Sequence, residues 1–231
     1  MTEFDKFSED YEKVLSECIS LSGFSPSYFD EYKIKEVYDF AKSKGIENKE
    51  IKILNFGCGI GKSERFIKKY FTNAMIYSVD VSSKSVEAAE ERNSGLDNVT
   101  FKVFDGDRIP FEYEFDIILV ANVFHHILPE RHLNVLRHIR EKLTKDGYLF
   151  IFEHNPLNPF TVKTVRKCGF DIGAILLNPV YTGKILSESG FKWRKIRFII
   201  FFPRFLRFLL PLERYLRKVP LGAQYYFIVE K

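Results

Sequence analysis

The sequence predicts an α/β fold built on a doubly wound, mostly parallel sheet with helices on both faces. Two observations carry that prediction. Strand-like and helix-like segments alternate from residue 51 to residue 153, the pattern of successive βαβ units with right-handed crossovers. Within that region Phe115-Asp-Ile-Ile-Leu-Val-Ala121 is a near-continuous apolar run, as required of a central parallel strand buried on both faces.

The elements follow in order. Residues 1–22 read as a helix, with Phe7, Tyr11, Val14, Leu15, Cys18 and Ile19 on its apolar positions. A break at Ser22-Gly-Phe-Ser-Pro26 precedes a second helix, Tyr28 to Lys44, stopped by Gly45. Strand 51–56, helix 62–71, strand 75–80, helix 83–93 and strands 99–104 and 115–121 come next, then helix 129–143 and strand 147–153. After Phe152 the pattern changes. A Pro/Asn-rich stretch, Asn155 to Pro159, opens a helical segment, and Tyr181 to Ser189 forms another helix ending at Gly190. Two β-rich runs, 191–202 and 223–230, flank an apparent insertion at about 203–221.

With 231 residues, 45% hydrophobic and 29% charged, the chain is expected to form one soluble domain with a sizeable core. Its organisation reads as an N-terminal helical cap (1–45), a core (46–154) and a C-terminal part (155–231). There are no repeats and no apolar run long enough to span a bilayer. The N-terminus Met-Thr-Glu-Phe-Asp-Lys lacks a basic n-region and an apolar h-region, which argues against secretion. Cys18, Cys58 and Cys168 lie far apart without a CxxC, so a reducing cytoplasm and no metal site are expected. Nothing in the composition fixes an oligomeric state.

The net charge of +4 hides an asymmetry. Between Lys192 and Pro220 nine Lys or Arg face Glu213 alone, a local +8, and the rest of the chain carries −4. Basic character confined to one segment points to a local surface and not to nucleic-acid affinity. Arg204, Arg207, Arg214, Arg217 and Lys218 fall near one helical face, and Phe205, Phe208, Leu209, Leu212 and Leu216 on another. Such a stripe suits packing on the protein's own core. It equally suits peripheral contact of 203–218 with an anionic membrane, at the inner membrane surface.

The most informative stretch is Ile51-Lys-Ile-Leu-Asn-Phe-Gly57-Cys58-Gly59-Ile-Gly61, where a strand runs into three glycines and then a helix. Glycines let such a turn bring backbone close to a ligand at a helix N-terminus. The spacing fits neither G-x-G-x-x-G, where Lys62 replaces the third glycine, nor a P-loop. Asp80, ending Ile76-Tyr-Ser-Val-Asp80, stands at the crevice where open α/β sheets bind ligands. The alternative for Asp80 is a cap on the helix near Ser83.

Strand-GxGxG-helix with an acidic residue ending the next strand resembles the first two motifs of class I S-adenosylmethionine-dependent methyltransferases, in their small-molecule branch (types 11 and 12). Two further stretches agree. Val99-Thr-Phe-Lys-Val-Phe-Asp105-Gly106-Asp107-Arg-Ile-Pro-Phe111 resembles the family's third segment, and Phe115 to Ile127 its post-strand-four motif. The resemblance covers the chain from about residue 30. It implies a Rossmann-like, seven-stranded sheet closed by a hairpin from the two C-terminal runs. It also implies S-adenosylmethionine as cofactor and S-adenosylhomocysteine as product. Gly57, Cys58, Gly59 and Gly61 would form the turn, Asp80 and Val81 would hold the ribose, Asp105 and Gly106 the adenine, and Ala121 and Asn122 the methionine part. Asp107 competes with Asp105 for its role.

His125 and His126 follow the fourth strand, and Glu153, His154 and Asn155 the fifth. An ordinary histidine, titrating near 6.5, is the natural base for deprotonating a hydroxyl. His126 and His154 compete for that role, with Glu153 orienting either. His125 is a further candidate, and Asn155 would hold the acceptor. The run from Glu153 to Thr161 also resembles methyltransferases of glycan synthesis. Tyr11, Tyr28 and Phe29 are the aromatic candidates for a lid over the acceptor. His132 and His138 sit in a charge-rich helix and read as surface residues.

The expectation is methyl transfer to oxygen of a small-molecule or glycan-linked acceptor. The rivals are methylation of an isoprenoid quinone or other lipid at a membrane, and a non-catalytic cofactor-binding partner protein. No Asn-Pro-Pro-aromatic stretch follows the fourth strand, which counts against nucleic-acid bases. No magnesium-type carboxylate pair is apparent.

Overall fold

A computed structural model describes residues 11–171, 173–192 and 194–231. Its centre is a seven-stranded sheet in the order β3-β2-β1-β4-β5-β7-β6. The strands are β1 (Lys52–Phe56), β2 (Met75–Asp80), β3 (Val99–Val103), β4 (Phe115–Ala121), β5 (Leu143–His154), β6 (Arg194–Ile199) and β7 (Gln224–Glu230). The first five pair in parallel, and β7 runs antiparallel between β5 and β6. β5 starts earlier than its apolar run suggests, because a register shift between Phe115 and Ile117 lets Leu143 join the ladder before the strand proper.

Alternation along each strand sends successive residues to opposite faces, and two cores result. One packs Leu54, Ile118, Val120 and Leu149 against Val135, Leu136 and Ile139 of α5 (His132–Glu141) and Ile185 and Leu186 of α7 (Pro179–Glu188). The other packs Ile53, Ile117, Leu119, Phe150 and Phe152 against Ile34, Val37 and Ala41 of α2 (Pro26–Ser43) and Phe66 and Ile67 of α3 (Glu64–Tyr70). α4 (Ser83–Arg92) begins at Ser82, whose Oγ accepts from Ser85 N at 3.1 Å, so Ser82 and not Asp80 caps it.

Several expectations need correction. Of the predicted N-terminal helix, residues 1–10 lie outside the described residues; α1 covers Tyr11–Cys18 and a 3₁₀ turn follows at Ser20–Ser22. Cys18 and Cys168 form a disulfide, with Cα atoms 5.3 Å apart across 150 residues of sequence. Their distance along the chain is erased because α1 packs beside α6 (Pro159–Lys167) and the turn after it. His132 is fully buried, with Nδ1 2.9 Å from Tyr181 Oη and Nε2 2.9 Å from the Ile127 carbonyl. It shares the inward face of α5 with Val135, Leu136 and Ile139. His138 is half-buried.

The 203–221 insertion is not one amphipathic α-helix. It is a 3₁₀ segment, Arg204–Leu212, kinked at Leu206, followed by a single turn, α8 (Glu213–Leu216). The tighter winding and Pro211 redistribute the faces, so Phe205 and Phe208 are exposed beside Arg204 and Arg207. Arg217 leaves the basic face and pairs with Glu36 at 2.6 Å. Buried Glu213 anchors the segment by accepting from Phe201 N at 2.7 Å and Tyr32 Oη at 2.8 Å.

Candidate active site

The C-terminal ends of β1, β2, β4 and β5 open into one cavity of about 920 Å³, at the point where strand order reverses between β1 and β4. Its volume lies near the top of the ~300–1,000 Å³ range of small-ligand sites, enough for two ligands side by side.

One end is the glycine turn. Gly57, Cys58 and Gly59 line it, and the Gly57 and Cys58 amides donate to Val79 O at 2.8 and 3.0 Å. A β-carbon on Gly57 would lie 2.4 Å from Val123 Cγ2, so glycine is needed for the β4 loop to approach. Asp80 Oδ2 accepts from Gly59 N at 2.8 Å and Oδ1 from Ser82 N at 3.0 Å. A carboxylate oxygen can accept more than one hydrogen bond, so this carboxylate is held in place and still suited to ribose hydroxyls. Val81, Phe104, Gly106, Ala121 and Asn122 complete this end. Asn122 holds a left-handed φ of 59° with its amide on Phe152 O.

Three residues assigned to the cofactor or acceptor stand elsewhere. Gly61 does not line the cavity; its β-carbon would sit 2.7 Å from Ala89 Cβ and 2.6 Å from Asn93 Nδ2, so it lets α4 approach the turn. Asp105 is exposed, and its Oδ1 closes its own loop by accepting from the Asp107 and Arg108 amides. Those two bonds hold its carboxyl below the usual range. Its competitor Asp107 is paired with Arg131 at 2.5 Å, and Arg131, unforeseen, lines the cavity beside Gly106. Asn155 is fully buried, its Nδ2 donating to Gly222 O at 2.8 Å and Pro220 O at 3.1 Å. It latches the end of β5 to the segment before β7.

The other end gathers the histidines. His125 and His126 lie on a 3₁₀ turn, Phe124–His126, after β4, and His154 ends β5. His125 is buried, and its Nδ1 donates to Glu153 Oε2 at 2.5 Å. Glu153 is wholly buried behind the cavity wall and also accepts from Phe124 N at 2.9 Å. Asp171, missed in the sequence, approaches His125 Nε2 at 3.4 Å and His126 Nε2 at 3.6 Å. Burial opposes a charge on His125, but Glu153 and Asp171 outweigh it and push the pKa up to about 9. Burial and the charged His125 push His126 and His154 down to about 4. One imidazolium therefore sits between two carboxylates, flanked by two neutral imidazoles able to accept protons.

α2 roofs the cavity. Phe29, Asp30 and Lys33 line it, and Tyr28 instead stacks on Phe24 at 3.9 Å. The side chain of Tyr11 lies outside the described residues. Asp30 meets buried Lys62 at 3.0 Å, which ties α2 to the glycine turn. Lys33 is buried beside them, its amine pulled below its usual pKa chiefly by burial. Asp30 and Lys33 share α2 with the apolar positions Ile34 and Val37, and nothing local marks them as cavity residues.

Comparison with known proteins agrees with this layout. A family model described as "Methyltransferase domain" matches residues 53–147. Trans-aconitate 2-methyltransferase of Mycobacterium tuberculosis is 25% identical over 177 residues, covering 71% of this chain and 65% of that protein. The match thus spans just under two thirds of that relative. An S-adenosylmethionine-dependent methyltransferase of Thermotoga maritima superposes with a TM-score of 0.67, at 18% identity over 99% of this chain and 97% of that one. Phosphoethanolamine N-methyltransferase 2 of Haemonchus contortus, solved with S-adenosylmethionine, gives 0.66 at 17% identity over 100% of this chain and 60% of that one. Residues 53–147 thus match a methyltransferase domain, and the seven-stranded sheet with an acid-tipped second strand beside the glycine turn is the fold of solved S-adenosylmethionine-dependent methyltransferases.

Proposed function

We propose that the cavity binds S-adenosylmethionine at the Asp80 end and transfers its methyl group to an oxygen of a small-molecule or glycan-linked acceptor at the histidine end. The observation that carries this reading is the single cavity lined by both Asp80 and His126. Methyl transfer is an in-line displacement at a sulfonium, so alignment does most of the work. An oxygen acceptor must also lose a proton. His126 is placed to take it: its ring reaches the cavity with 20% of its side chain exposed, and it is unprotonated at pH 7, though burial and the charged His125 weaken it as a base. Lys62, paired with Asp30 beside the glycine turn, offers a cationic group suited to the cofactor's carboxylate. Incubation with methyl-labelled S-adenosylmethionine and a panel of hydroxylated, carboxylated and amine acceptors tests the reading. Label on hydroxyl or carboxyl acceptors, reduced at least tenfold by His126→Ala, is expected; label on amines alone would refute oxygen transfer.

A second reading, a lipid-linked acceptor at an anionic membrane, is favoured by one specific observation. Phe205, 77% exposed, lines the cavity, and Phe208, Tyr215, Arg204, Arg207 and Arg214 of the same segment are exposed as well. Basic residues near an anionic membrane surface contribute about 1 kcal/mol each. Among the described residues no helix is long and apolar enough to cross a membrane, so contact would be peripheral. Sedimentation with anionic vesicles that weakens with salt and is lost in Arg204→Ala/Arg207→Ala supports it. Failure to sediment with any vesicle removes it.

A further inference from the structure

The mechanism just proposed uses His126 and leaves His125, His154 and Asp171 without a task. One ligand atom from each lies within 4.8 Å of the other two. The sequence offers no hint of this grouping, since Asp171 follows His154 by a helix and a turn. His125 is the fixed member. Its Nδ1 is held by Glu153 at 2.5 Å, and its buried Nε2 lies 3.4 Å from Asp171 Oδ1, facing a centre where a bound ion would displace the Nε2 proton. A carboxylate behind one ring nitrogen, with the other nitrogen aimed at a shared centre, is the arrangement that orients metal-bound histidines.

We infer that His125 Nε2, a ring nitrogen of His154 and the Asp171 carboxylate form a site for a divalent transition-metal ion of the zinc class at the acceptor end of the cavity. Two imidazoles and one carboxylate leave a coordination position open. Magnesium and calcium prefer all-oxygen sets. Bonds of 2.0–2.2 Å place tetrahedral ligand atoms roughly 3.4 Å apart, so the 4.8 Å cluster closes by about an ångström of side-chain movement. His154 at a strand end and Asp171 on a turn can supply it. The inference rests on the oxygen-directed reading for its use. A bound ion would supply a Lewis acid beside the acceptor hydroxyl, whose O–H proton passes to His126. The oxygen then forms a bond to the methyl carbon while the C–S bond breaks, its electron pair staying on sulfur. S-adenosylhomocysteine and the methyl ether or ester result, and His126 later returns its proton to water.

Calorimetric titration of Zn²⁺ into chelator-treated protein, repeated with Co²⁺ and visible absorption, tests the site without any turnover. One ion per chain is expected, with an intense tetrahedral or five-coordinate cobalt spectrum. His154→Ala and Asp171→Asn should each weaken zinc about a hundredfold, and Glu153→Gln by 10–100-fold, the usual cost of losing an orienting partner. S-adenosylhomocysteine affinity measured on the same variants reports that they are folded, and should stay within threefold of wild type. If Glu153→Gln does not fold, the wild-type cobalt spectrum and the other two variants still decide. No zinc binding by wild type, or binding indifferent to His154 and Asp171, overturns the site. Retained S-adenosylhomocysteine binding in that case leaves the methyltransferase reading standing. Zinc binding without S-adenosylhomocysteine binding supports the site and sinks the cofactor reading.

Discussion

Replacing Glu153 by glutamine isolates the electrostatics of the histidine cluster. Glutamine keeps the shape and, through its amide oxygen, the acceptor for Phe124 N, and it replaces the charged oxygen facing His125 by a neutral amide NH2. In the native protein that charge, with Asp171, holds His125 at about 9 against burial. An unfolded histidine titrates near ~6.5. Between those values the folded chain keeps a proton that the unfolded chain has lost, so stability falls as pH rises, by at most ~1.4 kcal/mol per pH unit. The whole displacement is worth roughly 3 kcal/mol, fully present below pH ~6.5 and gone above about 9. In Glu153→Gln burial dominates, His125 becomes neutral, and this slope disappears. Urea unfolding of chelator-treated wild type and variant from pH 6 to 9.5 should show the native advantage shrinking by most of that amount. A difference constant to within about 0.5 kcal/mol, the scatter of neutral substitutions, would refute a charged His125.

Gly61→Ala should destabilise by about 1–3 kcal/mol, since its β-carbon meets Ala89 and Asn93 at 2.7 and 2.6 Å on a backbone at φ 66°; urea unfolding within 0.5 kcal/mol of wild type would contradict it. Cys18→Ser should lower stability toward the ~5 kcal/mol chain-entropy limit for a loop of this length, and reduced wild type should unfold like the variant; identical melting with and without reductant would remove the disulfide. Because burial and charged His125 hold His126 near 4, the acid limb of methyl transfer should fall near pH 4–5. A limb at 6.5 would assign the base elsewhere.

Most of the sheet was legible because its strands are read from local pattern. Phe115–Ala121 is apolar throughout and β1 to β4 are bounded by glycines and acids. The glycine-turn end of the cavity was legible for the same reason, since Gly57 to Gly59 and Asp80 are adjacent strand ends, whatever the topology beyond them. The acceptor end was only half visible. His125, His126 and His154 could be named, but their different charge states come from Glu153 behind them and Asp171 beside them, a matter of burial and long-range approach. Asp30 and Lys33 drew no role from the sequence, because their approach to Lys62 and the cavity depends on α2 folding over the turn. Cysteine pairing across 150 residues cannot be deduced from spacing. The 203–221 segment misled because a helical wheel assumes α geometry, and its 3₁₀ winding turns Phe205 and Phe208 into solvent.

The central claim is that one cavity has a cofactor end at Asp80 and an acceptor end at the histidines, and calorimetric titration of S-adenosylhomocysteine tests it most directly. Wild type should bind in the micromolar range. Asp80→Ala should bind about ten- to a hundredfold more weakly, the cost of losing a charged hydrogen-bond acceptor worth about 1.5–3 kcal/mol. His126→Ala and His154→Ala should bind as wild type does. Equal affinities for wild type and Asp80→Ala, or a loss in either histidine variant as large as that in Asp80→Ala, would contradict the division of the site.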